Sequence, residues 1–140
     1  MCYEIYIAAD SPLKTIPWDE ENRKLNVSKI GPEDDFIKKI FSKPNIYYIG
    51  SHLNCGCGFF YESSLAPNCD EQKVAMQVRQ SQEELKEYIN QSLNKSNEIE
   101  LYVNWESEKE KGPIRTIRLT NKDISTQFNL EERHFYIIKK

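Results

Sequence analysis

The apolar residues of this chain fall in short blocks separated by proline, glycine and charged residues, and this patterning limits the possible folds more than any other feature of the sequence. Some blocks alternate apolar with polar residues, as half-buried strands do, and others repeat every three to four residues, as amphipathic helices do. No block approaches the roughly 20 apolar residues that a membrane-spanning helix needs. We therefore expect a globular domain of strands and helices that does not enter a membrane.

The order of the blocks predicts the fold class. Alternating or continuous apolar residues predict strands at 3–8, 25–30, 45–50, 99–105, 114–120 and 134–138. Apolar stripes at helical spacing predict two main helices, at 32–43 and at 81–93. Strands that alternate with helices and are followed by a run of strands indicate an α+β fold. We expect one α+β domain over residues 1–140, with a mixed sheet and the two helices packed on it.

Three local features lead to more detailed expectations. Ser81 and Glu84 have the spacing of a capping box, so we expect a helix to begin at Ser81, and residues 71–80 before it can be helix or loop. If strands 3–8 and 45–50 pair in parallel, the first helix is their right-handed crossover. The strand at 114–120 is expected to return beside the strand at 99–105, which precedes it in the chain.

A long connection between the first two strands, from residue 9 to about residue 24, contains two prolines and Trp18. Loops of this length are uncommon in compact domains unless they pack on themselves or have a role. Trp18 carries the largest apolar side chain in the loop, so we expect it to be buried and to anchor the loop on the core. The alternative is an exposed Trp18 that contacts a partner.

Charge and the amino-terminal residues limit the classes of function. The net charge is −3, and acidic and basic residues are interleaved. Such a surface lacks the clustered Lys and Arg that nucleic acids and anionic membranes attract, so we expect neither as a partner. No basic segment followed by an apolar segment opens the sequence, which predicts a cytoplasmic protein with reduced cysteines.

The segment Gly50–Gly58 contains three of the five glycines and the pattern H-x-x-C-x-C. Residues two apart in an extended segment project to the same side, so Cys55 and Cys57 can face one point. The glycines let the backbone bend and leave N–H groups unshielded, and these can act as donors to sulfur. We therefore identify His52, Cys55, Cys57 and Cys69 as candidate metal ligands, with Cys2 as the alternative to Cys69 and zinc as the expected ion.

Three other interpretations of the loop stay open. The closely spaced cysteines can form a labile disulfide or hold a reactive thiolate. The loop can also be only a structural turn in a non-catalytic protein-interaction domain, since free cysteines often serve as small buried apolar residues. A third use is the binding of a small ligand through the loop amides. No nucleotide-binding loop and no G-x-S-x-G motif of hydrolases is present.

Several segments of the first half of the chain together show a resemblance to known proteins. They are Met1-Cys2 before the first strand, Ile16-Pro17-Trp18-Asp19, and Tyr47–His52 leading into Cys55-Gly56-Cys57-Gly58-Phe59. In these segments the chain resembles a group of small uncharacterised bacterial cytosolic proteins with a G-S-H-x-x-C-G-C-G-F segment. The resemblance implies a bacterial cytosolic protein and implies no activity.

Overall fold

A six-stranded mixed β-sheet forms the centre of the protein, whose computed structural model describes residues 2–60, 71–108, 111–126 and 130–140. The strands are β1 (Tyr3–Ala9), β2 (Asn26–Lys29), β3 (Asn45–Gly50), β4 (Glu98–Trp105), β5 (Arg115–Thr120) and β6 (His134–Lys139). The helices are α1 (Asp35–Lys38), α2 (Glu71–Lys95) and α3 (Asn121–Thr126), and 3-10 turns occupy Pro32–Asp34, Gly56–Phe59 and Glu106–Glu108. The predicted α+β fold with a mixed sheet is confirmed.

The strand order across the sheet is β2-β3-β1-β4-β6-β5. β1 lies between β3 and β4 and is antiparallel to both. β2 forms one edge of the sheet, where a strand was predicted at 25–30, and a bridge between Ile16 and Val27 extends its pairing. β5 forms the other edge and is parallel to β6.

Two expectations about strand pairing are wrong. The strands predicted at 3–8 and 45–50 are neighbours but antiparallel, so α1 is not a crossover between them. The strand predicted at 114–120 pairs with β6 rather than with β4. In the second case the sequence reading missed α3, which lies in the connection between the parallel strands β5 and β6. In both cases apolar alternation marks a strand but carries no information on its direction or its neighbour.

The two main helices also differ from the expected bounds. α1 is a short helix that continues the 3-10 turn before it. α2 begins ten residues before Ser81 and has 25 residues, so Ser81 does not cap it. Ser81 is fully buried within α2, and its hydroxyl lies against His52 instead. A side chain satisfied by a tertiary partner cannot be distinguished from a capping residue by spacing alone.

Each face of the sheet buries its own apolar cluster. One face packs on α2 and contains the odd-numbered residues of β1, such as Ile5 and Ile7, together with Leu85 and Ile89 of the helix. The opposite face packs on the α1 segment and includes Tyr6, and the other buried members of this cluster are Ala8, Ile37, Phe41, Tyr102 and Phe135. This division follows from the two-residue period of side chains along a strand. None of the helices in the described part of the chain is both long and apolar enough to span a membrane.

The long loop after β1 is held by Leu13 rather than by Trp18. Leu13 is 6% exposed, and its backbone N–H donates a hydrogen bond to the Tyr47 hydroxyl at 3.0 Å. Trp18 is only partly buried, and its indole N–H donates to the Glu20 carboxylate at 3.3 Å. The expectation that Trp18 anchors the loop is therefore wrong, because the smaller Leu13 fills the space next to the core.

We predict that Leu13→Ala lowers the free energy of unfolding by about 2–4 kcal/mol, the scale for removing a buried leucine side chain. Trp18→Ala is the matched control in the same loop and should cost at most about 1 kcal/mol, as expected for a partly exposed residue. Urea denaturation of both variants measures the two costs. A larger loss for Trp18→Ala would reverse the assignment of the anchor.

Candidate metal centre

Three cysteine sulfurs converge at one end of the sheet. The Sγ atoms of Cys2, Cys55 and Cys57 all lie within 4.8 Å of one another, and all three residues are partly buried free thiols. In the described ranges of the chain, no other group of three or more histidine, cysteine or acidic side chains has this proximity. The structure thus brings together two of the predicted ligands with Cys2.

Cys2 is positioned by the central strands. It directly precedes β1, and its carbonyl accepts a hydrogen bond from the Glu106 N–H at 3.0 Å. The Cys2 N–H donates to the Glu106 carboxylate at 3.2 Å. These two hydrogen bonds extend the pairing of β1 with β4 by one residue, so the backbone of Cys2 has a defined position.

A closed turn after β3 brings the other two cysteines to the same place. The Ser51 N–H and hydroxyl both donate to the Cys55 carbonyl, at 2.9 and 2.6 Å, and the Asn54 N–H donates to the Ser51 carbonyl. Asn54 has a φ of 62°, a conformation that asparagine tolerates better than most residues. The turn reverses the chain, and the 3-10 turn that follows it meets the beginning of β1.

Glycine is required where this loop meets β1. A Cβ on Gly56 would lie 2.7 Å from the backbone carbonyl oxygen of Tyr3, which cannot move without disturbing the sheet. A Cβ on Gly58 would overlap the Ser51 hydroxyl. The Tyr3 N–H also donates to the Cys57 sulfur at 3.3 Å. The close backbone approach at Gly56 is therefore what lets Cys55 and Cys57 reach Cys2.

The three thiols are electrostatically unequal. The pKa of Cys55 is lowered because its sulfur accepts hydrogen bonds from the thiol and the backbone N–H of Cys57, which together outweigh its burial. The pKa of Cys57 is strongly raised because its thiol donates to Cys55 and because it is partly buried. Burial, followed by interactions with Cys57, raises the pKa of Cys2. Cys55 is thus the first of the three to ionise.

His52 contacts α2 and is not a member of the group of three sulfurs. Its Nδ1 lies 2.5 Å from the Ser81 hydroxyl of α2, and its backbone N–H points to the same oxygen. Burial lowers the pKa of the imidazole, which favours its neutral form. In the structure His52 thus joins the loop to α2. Cys69, the fourth predicted ligand, lies outside the described residues.

Cys2 is the residue that the sequence reading ranked too low. With β1 and β3 antiparallel, the beginning of β1 lies beside the end of β3, which places Cys2 next to the loop that follows Gly50. Parallel pairing would have put the beginning of β1 and the end of β3 at opposite ends of the strands. The position of Cys2 immediately before a strand could have indicated that it is a ligand, but only if the direction of that strand relative to β3 had been known.

The spacing of the sulfurs suits a thiolate-bound metal ion. Zinc binds cysteine sulfur at about 2.3 Å in tetrahedral geometry, which places two bound sulfurs about 3.8 Å apart. The sulfurs of Cys2, Cys55 and Cys57 lie within 4.8 Å of one another, so small side-chain rotations bring them to that distance. Three thiolates provide three of the four ligands that zinc usually takes.

We predict that Gly56→Ala destabilises the protein by about 1–3 kcal/mol, the usual cost of forcing an extra carbon into a packed site. Gly31→Ala is the matched control, because its Cβ would meet only the flexible side chain of Glu33 and should cost little. Thermal and urea unfolding of the two variants compare these costs. Equal stability of the two variants would contradict the close approach of the loop to β1.

Comparisons with protein-family models, with curated protein sequences and with solved structures each gave no match. What the cluster can do is therefore decided by the chemistry of its own residues.

Proposed function

We propose that this domain binds a thiophilic metal ion through the thiolates of Cys2, Cys55 and Cys57, and that the ion is zinc. The observation that carries the proposal is the convergence of the three sulfurs within 4.8 Å of one another, although 52 residues lie between Cys2 and Cys55. Cysteines that serve only as apolar filler do not need to meet, and they are usually fully buried. These three meet and are partly exposed.

Hydrogen bonds to the sulfurs support the same function. The Tyr3 N–H donates to the Cys57 sulfur, and the Cys57 N–H donates to the Cys55 sulfur. Donors of this kind orient thiolate ligands and reduce the repulsion between their negative charges around a metal ion. They come from backbone that is fixed by β1 and by the Gly56–Phe59 turn, so the ligands are held in place before an ion binds.

The nature of the donor atoms favours zinc over hard cations. Calcium and magnesium take oxygen ligands, whereas thiolates select zinc and other soft or borderline ions. A fourth ligand completes the coordination. Cys69 stays the candidate that the sequence predicts for a structural site, and a water molecule in its place would make an open site of the kind that catalytic zinc uses.

A metal ion at this place would join two parts of the chain that are distant in sequence. It would tie the beginning of β1, in the middle of the sheet, to the loop that follows β3. Because an ion that binds only the folded state stabilises that state, the zinc-loaded protein is more stable than the metal-free protein. The domain is therefore a metal-binding domain in which the ion fixes the Cys55–Cys57 loop.

We predict that protein purified without chelator contains one zinc ion per chain. Cys2→Ser should lower the zinc affinity by at least about tenfold, because it removes a direct ligand. His52→Ala is the matched control and should leave the affinity within a few-fold of the native value. Elemental analysis gives the stoichiometry, and competition with a chromophoric chelator gives the affinities.

Two outcomes of this measurement are decisive. If the purified protein has no affinity for zinc or for another thiophilic ion, the proposal fails and the loop is a structural turn. If Cys2→Ser binds zinc as tightly as the native protein, the ligand set is wrong. Cys69→Ser, measured beside them, decides between a fourth cysteine ligand and an open position.

We further predict that zinc affinity rises with pH across the neutral and mildly alkaline range. The pKa values of Cys2 and Cys57 are raised, so both are protonated near neutral pH, and each proton must leave when the metal binds. Lowering the pH therefore favours the protonated, metal-free protein. Chelator competition at a series of pH values, with proton release followed in weak buffer, measures the effect. An affinity independent of pH would show that the ligands are not these thiols.

A further inference from the structure

We infer that the same cluster is a thiol switch, in which a hydroperoxide oxidises Cys55 and Cys57 to a disulfide while Cys2 stays reduced, so that the metal ion is expelled. This inference rests on the proposed metal binding and adds a regulation of that site by a chemical class of oxidant. It commits to one pair among the three that the cluster allows.

Chain separation and backbone geometry select this pair. One residue separates Cys55 from Cys57, and their sulfurs lie within 4.8 Å of each other. Cys57 lies in a 3-10 turn, whose rise of about 2.0 Å per residue is shorter than that of a strand, so the two Cα atoms are closer than the roughly 6.6–6.8 Å of an extended pair. That separation falls within the range that a disulfide accepts. Bond formation therefore needs movement only inside the loop.

Cys2 is less suited to be a partner in the disulfide. Its backbone is held by two hydrogen bonds to Glu106, and the next residue begins the central strand β1. Pulling Cys2 into a disulfide would strain these contacts, whereas the Cys55–Cys57 bond leaves them intact. The site then keeps Cys2 and at most Cys69 as thiolate ligands, fewer than the three or four protein ligands that zinc takes.

Exposure and proximity allow Cys55 to be the attacking sulfur and Cys57 the sulfur that closes the disulfide. Cys55 is partly exposed, so a small hydroperoxide can reach its sulfur. The thiolate is the form of cysteine that attacks an oxidant, and a cysteine bound to a metal ion is already in that form. The Cys57 sulfur lies within 4.8 Å of the Cys55 sulfur, so it is close enough to react once Cys55 is oxidised.

The chemistry balances in two steps. The Cys55 thiolate attacks the outer oxygen of the hydroperoxide, the O–O bond breaks, and the leaving oxygen takes a proton to give an alcohol, or water when the oxidant is hydrogen peroxide. The Cys57 sulfur then attacks the Cys55 sulfur of the sulfenic acid and an S–S bond forms. The leaving hydroxide takes the Cys57 thiol proton, or a proton from solvent where Cys57 is a metal-bound thiolate, and departs as water. The two sulfurs lose two electrons in total, and the hydroperoxide gains them.

The experiment titrates zinc-loaded protein with hydrogen peroxide. Zinc release is followed with a chromophoric chelator, and free thiols are alkylated before reduction and mass spectrometry. We expect one zinc ion released per disulfide, with Cys55 and Cys57 protected from alkylation and Cys2 alkylated. A thiol reductant should restore both free thiols and zinc binding.

Serine variants make the pairing falsifiable without relying on zinc retention. In metal-free protein, Cys55→Ser and Cys57→Ser should each lose the disulfide, whereas the matched control Cys2→Ser should still form it. Protection of Cys2 from alkylation in the native protein would overturn the inference, and so would the absence of any disulfide after oxidation.

The two proposals fail in different ways. If zinc binds tightly but peroxide forms no bond between Cys55 and Cys57, the switch is overturned and the metal site stands. If metal-free protein forms the disulfide but no metal ion binds, the metal-binding function fails, and the coupling to metal release fails with it.

Discussion

The antiparallel pairing of β1 with β3 is the constraint on which the rest of the site depends. It puts the beginning of β1 beside the end of β3, so the residue before one strand meets the loop after the other. β4 pairs with the other edge of β1, and Glu106, the residue after β4, extends this pairing to Cys2. A cluster built on the central strand of a six-stranded sheet inherits the rigidity of that sheet, which a cluster on loops alone would lack.

The second requirement is a close backbone contact between the Gly56–Phe59 turn and Tyr3. Glycine at position 56 removes the Cβ that would collide with the Tyr3 carbonyl, and the freed space lets the Tyr3 N–H reach the Cys57 sulfur. The rings of Phe60 and Trp105 pack against the Tyr3 ring, with centroids 4.2 and 4.7 Å away. The loop is thus held by backbone and aromatic contacts as well as by its own turn, and the sulfurs are placed without needing an ion to gather them.

The proposed metal binding and the proposed thiol oxidation depend on the same property of the cluster. Three sulfurs at short range repel one another when ionised, and the protein reduces that repulsion by sharing protons between them. A metal ion replaces those protons with a larger positive charge, and oxidation to a disulfide removes the negative charges of two thiolates.

The sequence alone determined the fold class, the positions of the six strands and the loop that carries Cys55 and Cys57, because periodicity, prolines and glycines act over a few residues. It did not determine strand direction, the start of α2 or the residue that anchors the long loop. Ser81 has the spacing of a capping residue, but it lies inside α2 and its hydroxyl contacts His52. Trp18 is the largest apolar side chain of the loop, but Leu13 is the residue held against the core. Cytoplasmic location and the absence of a nucleic-acid partner stay predictions. The joining of Cys2 to the loop was decided only by tertiary structure, since the hydrogen bonds between β1 and β3 set which strand ends meet, and no local pattern records them.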